Sequence, residues 1–363
     1  MPAPLTYAQD DTPGWTRVRR GKGFAYVSAT GRAIRDAAQL DRIKRLAIPP
    51  AYTEVWICPS ARGHLQATGR DARGRKQYRY HAEWQARREQ QKFDRMREFG
   101  RTLPRIRRAV TRDLRSRELT QDTVVAAIVR LLDRTALRVG NEAYATENGS
   151  FGLTTLRDRH VRTRAASLEI RFRGKSGVEQ TARLTDPATA RIVQRCQELP
   201  GQHLFQYIDD AGRRRPVRSQ HVNQYLRRVS GHGFTAKDFR TWHASVLALE
   251  LTAGVTPSVP GDAVAPTRAT VVEVVRQVAR QIGNTQAVCR RFYIHPAVLQ
   301  AVLDGPARKE EKAGGTTESA LLRLLSRRKR KKAQPSSPSA SRARQISAPI
   351  AAPTRGASQN SQS

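Results

Sequence analysis

The sequence predicts an α+β protein: a small β-rich N-terminal domain over residues 1–82, a mainly helical domain over 83–305, and a basic, largely disordered tail over 306–363. Three observations predict it. Residues 15–80 carry short alternating apolar segments punctuated by Gly and Pro. From about His81 the apolar spacing lengthens to that of amphipathic helices. Past Gly305 the composition shifts to Ser, Ala, Pro and Arg, which cannot bury enough apolar surface to fold.

The elements follow in order. Residues 23–28 alternate and Thr30-Gly31 turns; residues 54–59 are a second strand and 63–69 a third. Residues 71–75 turn into a fourth, 76–80. Between the first two, residues 37–48 have helical spacing in Leu40, Ile43 and Leu46 and stop at Pro49-Pro50. In the second domain, residues 83–99 form a highly charged helical run and 103–114 another. Asp122 opens a strongly apolar helix through Leu132. Residues 167–173 alternate strictly, which puts Lys175 on the turn of a hairpin in one small sheet. Helices then predominate through about residue 304. Residues 319–325 have the pattern of a short final helix ahead of the basic run 327–332.

Composition points to a polyanionic partner. Across 363 residues there are 66 Lys and Arg against 31 Asp and Glu, a net charge of +35. Such an excess is an electrostatic footprint for nucleic acid. Residues 306–363 hold only 13 of the 66 cations, so the body is basic too. The tail's basic run is read as a non-specific DNA-binding extension rather than a localisation address. Cys58, Cys196 and Cys289 are scattered and odd in number, which excludes a zinc ribbon and argues against a disulfide scaffold. No signal-peptide pattern and no run of about 18 apolar residues is present, so a soluble protein with no membrane partner is expected.

The chemistry concentrates near the end of the helical domain. Tyr293 follows Arg290-Arg291 and lies downstream of Asn284; further upstream are Arg138, Lys175 and Arg240. A phenol can attack a phosphodiester in line, although its ordinary pKa near 10 requires that deprotonation be coupled to attack. Two guanidiniums offer bidentate contact to the non-bridging oxygens and keep their charge. Asn284 can donate a further hydrogen bond, and Lys175 can protonate the leaving 5′ oxygen. A phenolate also leaves readily, so the covalent step reverses without ATP, metal or any other cofactor. Two mimics fail on spacing. Gly174-Lys175-Ser176 would need glycine where Glu169 stands, and Gly21-Lys22-Gly23 would need one where Tyr26 stands. Asp209-Asp210 is read as a turn pair.

The order and neighbourhoods of these residues resemble the type IB DNA topoisomerases, in particular the small poxvirus-like branch found in viruses and bacteria. The resemblance spans about residues 15–304 and includes the contiguous stretches 44–52 and 66–81. It implies a C-shaped clamp of two domains around duplex DNA, with the active site in the second. It further implies Tyr293 as nucleophile, Lys175 as general acid, Arg138 and Arg240 as transition-state stabilisers and Asn284 as a phosphate contact. The viral enzymes carry histidine where this chain has Asn284, so any role for a charged imidazole is absent. Gln77, Tyr78 and Tyr80 match the family's DNA-reading strand, with Arg73, Arg75 and Lys76 before it. Lys237, one turn ahead of Arg240, is a further expected DNA contact. Alternation puts Tyr78 and Tyr80 on one face and Gln77 and Arg79 on the other. The implied partner is supercoiled duplex DNA, the implied state a monomer, and the implied location the cytoplasm with the nucleoid.

Two other readings compete. A tyrosine recombinase would share the chemistry, but it would usually lead with a helical DNA-binding domain and show His-x-x-Arg, where this chain has Lys237-x-x-Arg240. A non-enzymatic basic DNA-binding protein has no reason to keep Arg, Lys, Arg, Asn and Tyr in this order.

Overall fold

The computed structural model describes residues 4–254, 268–304 and 315–333. It opens with the antiparallel hairpin β1 (Trp15–Arg20) and β2 (Gly23–Val27), whose two-residue link holds Gly21 at φ 56°. Glycine takes that left-handed conformation without a Cβ clash. β1 is not among the strands expected from sequence. Half of it is arginine, which hides the alternation, and pairing with neighbours on both sides decides its conformation.

Helix α1 (Ala37–Arg45) starts at Asp36, whose carboxylate accepts from the Gln39 amide at 2.8 Å. Strands β3 (Thr53–Ile57), β4 (Leu65–Arg70) and β5 (Lys76–Tyr80) complete a five-stranded antiparallel sheet ordered β2-β1-β3-β4-β5. Its small core joins Ile43 of α1 to Val55, Ile57 and Ala67 of the sheet. β5 is one of its two edge strands.

From β5 the chain runs directly into α2 (Ala82–Asp113), one continuous helix where the sequence reads two. Gly100 and Pro104 weaken local helicity there, since proline removes a backbone donor. Phe93, Met96, Phe99, Leu103, Ile106 and Val110 nevertheless form one unbroken buried stripe, and its packing outweighs the local cost. Gly100 admits Trp242 closely: a Cβ there would stand 2.3 Å from its ring.

Helix α3 (Gln121–Thr135) is the centre of the helical core, with residues 123–129 all buried. The chain continues through α4 (Glu142–Asn148) to the three-stranded antiparallel sheet β6 (Val161–Arg164), β7 (Ser167–Arg173) and β8 (Glu179–Thr185), which meets α3 through β8. Next come α5 (Pro187–Gln197) and the hairpin β9 (Gln206–Ile208) and β10 (Arg214–Pro216). That hairpin is a second sheet where the sequence indicates one, because three-residue strands carry no readable period. Asp209 ties its turn, accepting from the Ala211 and Arg213 amides and from the Arg213 and Arg215 side chains, as expected of a turn acid.

The remaining helices are α6 (Ser219–Ser230), α7 (Ala236–Gly254), α8 (Arg268–Ile282), α9 (Gln286–Phe292), α10 (Pro296–Asp304) and α11 (Thr317–Ala333). The helix expected over 319–325 is thus longer, and it is not part of a tail. Leu321 is fully buried, and Glu318 accepts from Arg107 at 2.7 Å and from the Trp242 indole at 3.1 Å. The rest of the tail expected over 306–363 lies outside the described residues. Among the described residues no helix is long and apolar enough to cross a membrane. All three cysteines are buried and free.

Candidate active site

The site grows from the end of α3. Ala136 closes that helix at φ 54°, its amide donating to the Leu132 carbonyl. The chain then passes beside residues 152–154, where the Leu153 amide donates to the Arg138 carbonyl (2.9 Å) and the Thr154 amide to that of Val139 (2.7 Å). A Cβ on Gly152 would fall 2.5 Å from the Gly140 backbone, so glycine is required for this approach. The backbone of Arg138 is thereby fixed. Its guanidinium Nη2 donates to the Gly283 carbonyl at 2.8 Å and to Asn284 Oδ1 at 2.7 Å.

Arg240 sits in the second turn of α7 and is only 4% exposed. Its Nη1 donates to the Ala136 carbonyl and its Nη2 to that of Ile282 at 2.7 Å. Two guanidiniums therefore grip residues 282–284, where α8 ends and Gly283 turns left-handed at φ 63°. Cations suit this place, because the last carbonyls of a helix lack internal partners. Among the described residues Arg240 Nε and Asn284 Nδ2 are buried without a hydrogen-bond partner. Since Arg138 occupies Asn284 Oδ1, the amide is oriented with its donor still unspent. Burial, and then the charge of Arg240, pull Arg138 down to about 10, while burial also lowers Arg240. Arginine keeps its charge even so. Unspent donors and two desolvated cations in one place are the chemistry that could hold an anion.

Tyr293 closes α9, whose N-terminus is capped by Thr285. Ser245 Oγ donates to the Tyr293 carbonyl at 3.3 Å and accepts from the His295 amide at 2.9 Å, tying this turn to α7. Ile294 and Cys289 are fully buried on either side, so the backbone is anchored while the phenol ring stays half-buried. The Arg240 guanidinium carbon lies 5.3 Å from the ring centroid. Arg138, Arg240, Asn284 and Tyr293 are thus brought together from α3, α7, α8 and α9.

Lys175 is exposed on the β7–β8 turn, where Ser176 takes φ 64° and Gly177 φ 77°. The same hairpin approaches the cluster through Gln180, whose amide would stand 2.7 Å from a Cβ on Gly283. Lys237 is exposed in the first turn of α7.

In the N-terminal domain, Tyr78 and Tyr80 share the exposed face of β5, their rings stacked at 6.0 Å. Lys76 Nζ lies 5.9 Å from the Tyr78 ring and pairs with Asp10 at 2.6 Å. Gln77, on the opposite face, donates to Asp71 Oδ2 at 2.9 Å. Asp71 also pairs with Arg75 at 2.7 Å, which holds its carboxyl at about 2. Arg73 donates to Asn148 Oδ1 of α4 at 3.0 Å, a contact between the two domains.

One residue at the site has no sequence signal. Lys92 of α2 places Nζ 5.2 Å from the Tyr293 ring centroid. Nothing distinguishes it among the charged residues of its run, because only the packing of α2 on α9 selects it.

A family model described as the catalytic core of eukaryotic DNA topoisomerase I matches residues 81–318. One described as the N-terminal domain of bacterial DNA topoisomerase IB matches residues 23–71. DNA topoisomerase 1B of Acanthamoeba polyphaga mimivirus is 28% identical over 316 residues, 86% of this chain and 94% of the viral protein. DNA topoisomerase 1B of Vaccinia virus (strain Copenhagen) is 21% identical over 263 residues, 70% of this chain and 76% of that protein. DNA topoisomerase 1 of Mycosarcoma maydis is 27% identical over 176 residues, 44% of this chain and 17% of that protein.

Proposed function

The chain belongs to the type IB DNA topoisomerase family, and from that premise we propose how its residues divide the chemistry. Tyr293 attacks the scissile phosphorus and forms a 3′-phosphotyrosyl bond as the 5′ oxygen leaves. Arg138, Arg240 and Asn284 bind the non-bridging oxygens, whose charge grows in the transition state. Lys175, on its exposed turn, swings over to protonate the departing oxygen. Supercoils rotate out about the uncut strand, and the 5′ hydroxyl reverses the attack.

The observation that carries this reading is the Arg138–Asn284–Arg240 cluster beside Tyr293. Among the described residues Arg240 Nε and Asn284 Nδ2 are buried donors with no hydrogen-bond partner. A phosphodiester would satisfy them. Around it we place duplex DNA held by a monomer, with Tyr78, Tyr80 and Lys76 on the exposed face of β5 and Arg73, Arg75 and Lys237 meeting phosphates. Gln77 joins them only if it leaves Asp71. The enzyme would act on the nucleoid in the cytoplasm.

Relaxation of supercoiled plasmid in EDTA without ATP tests the reading, together with trapping of the adduct. Wild type should form a protein–DNA bond at the 3′ phosphate, and Tyr293→Phe should bind DNA but form none. A labelled 5′ end on the protein, or an adduct from Tyr293→Phe, would overturn it.

A further inference from the structure

The nucleophile must lose a proton, and the catalytic residues named above leave none to take it: the arginines hold theirs, the asparagine does not titrate, and Lys175 is committed as proton donor to the leaving oxygen. Lys92 lies beside Tyr293. One face of α2 is docked on the segment that carries the tyrosine: Glu89 pairs with Arg291 at 2.9 Å, and the Phe93 ring meets His295 edge-on at 5.2 Å. Lys92, between them on the same face, has Nζ 5.2 Å from the Tyr293 ring and 5.1 Å from that of Phe93. Among the described residues this Nζ is buried without a hydrogen-bond partner. The carboxylates whose charge acts on it are committed elsewhere, Glu89 to Arg291 and Asp238 to the Thr235 amide and hydroxyl.

We propose that Lys92 is a further catalytic residue, the proton acceptor for Tyr293 in cleavage and the proton donor to it in resealing. The proposal rests on Tyr293 being the nucleophile. In cleavage the phenol proton passes to the neutral amine, the phenolate oxygen bonds to phosphorus, the bond from phosphorus to the 5′ oxygen breaks, and that oxygen takes a proton from Lys175. Resealing runs the same transfers backwards, so each lysine ends as it began. The long, freely rotating lysine stem can carry Nζ from the ring face to the phenolic oxygen, and catalytic hydrogen bonds often tighten only when substrate binds.

The electrostatics agree. Burial, followed by repulsion from Lys237, pulls Lys92 down to about 8, while Asp238 and Glu89 act in the opposite direction. Arg240 and Arg138 face the same space with fixed positive charge. An amine titrating one unit above neutrality is unprotonated in about a tenth of molecules at pH 7, enough to serve as a base.

The test is single-turnover cleavage of a short duplex by full-length wild type, Lys92→Met, Lys92→Arg and Lys92→Ala, from about pH 6 to 9, with thermal unfolding and DNA affinity measured alongside. Wild-type rates should rise with pH and level near the lysine's titration. Methionine and arginine variants should both cleave about 10²-fold more slowly or worse, with that rise gone and affinity within about threefold. Ethylamine should restore Lys92→Ala in proportion to free amine. Wild-type rates in Lys92→Arg would reduce the residue to a fixed charge, and wild-type rates in Lys92→Met would remove it from the reaction. A folded Lys92→Ala that ethylamine leaves unimproved would equally overturn the proposal. The reading of Tyr293 fails separately, through absence of any adduct from the wild type.

Discussion

At the scale of single residues, what matters is which hydrogen-bonding capacity is already spent. Asn284 gives its oxygen to Arg138, and among the described residues its nitrogen has no partner. Asn284→Asp keeps the acceptor but replaces the free donor with negative charge facing an incoming phosphate. It should cost about 10²-fold or more in cleavage, as loss of a preorganised donor does, with thermal stability nearly unchanged. Cleavage kinetics beside a melting curve check this, and an aspartate variant that cleaves normally would take Asn284 off the phosphate. Lys175 makes the complementary case, being exposed on a turn. Lys175→Ala should slow cleavage strongly, yet recover on DNA whose scissile 5′ oxygen is replaced by sulfur, because a thiolate departs without a proton. Equal impairment on both substrates would reassign the general acid.

At the scale of elements, α2 connects both domains and supports α7, α9 and α11. Gly100→Ala would gain helix propensity, up to about 1 kcal/mol. Against that, its Cβ would stand 2.3 Å from the Trp242 ring and 2.9 Å from a Leu322 methyl. A fully buried indole cannot retreat, so overpacking wins and a net loss of about 1–3 kcal/mol is expected in chemical denaturation. The contact between α2 and α11 also depends on pH. Arg107 draws the Glu318 carboxyl below its ordinary 4.5, so its ion pair stabilises the fold above that value and is lost as pH falls through the lower, folded one. Glu318→Gln should therefore melt below wild type at neutral pH, and the gap should close on acidification below about 4.5. A gap that does not change with pH would show that the charge contributes nothing.

At the scale of the whole molecule, the decisive quantity is positive charge and where it can reach DNA. Removing residues 327–363 leaves Glu318, Leu321 and Leu325 in place, and should leave both chemistry and melting temperature unchanged. It should weaken duplex binding and lower the slope of log affinity against log salt by about 0.9 for each phosphate the shortened protein no longer neutralises. Titrations at several salt concentrations decide it. Equal slopes with and without the segment would mean the basic run does not touch DNA. A cut at 315 should instead destabilise the helical domain, because it strips the cover from Trp242 and Arg107.

The sequence by itself determined the two-domain order, the hairpin under Lys175, the alternating face of Tyr78 and Tyr80, and the residues of the Arg138–Asn284–Tyr293 cluster. Each of these is written in local period or in contiguous motif, and local order survives without knowledge of the fold. Tertiary structure alone decided four matters. α2 runs unbroken through Pro104 because a buried stripe outweighs one missing hydrogen bond. β1 is a strand because it is paired on both sides, despite its arginines. α11 belongs to the helical domain because Leu321 and Glu318 find partners on α2 and α7. Lys92 stands beside Tyr293, some two hundred positions away in sequence, because α2 packs on α9. Contacts of that sequence separation leave no period and no motif, since they arise only when two surfaces bury each other.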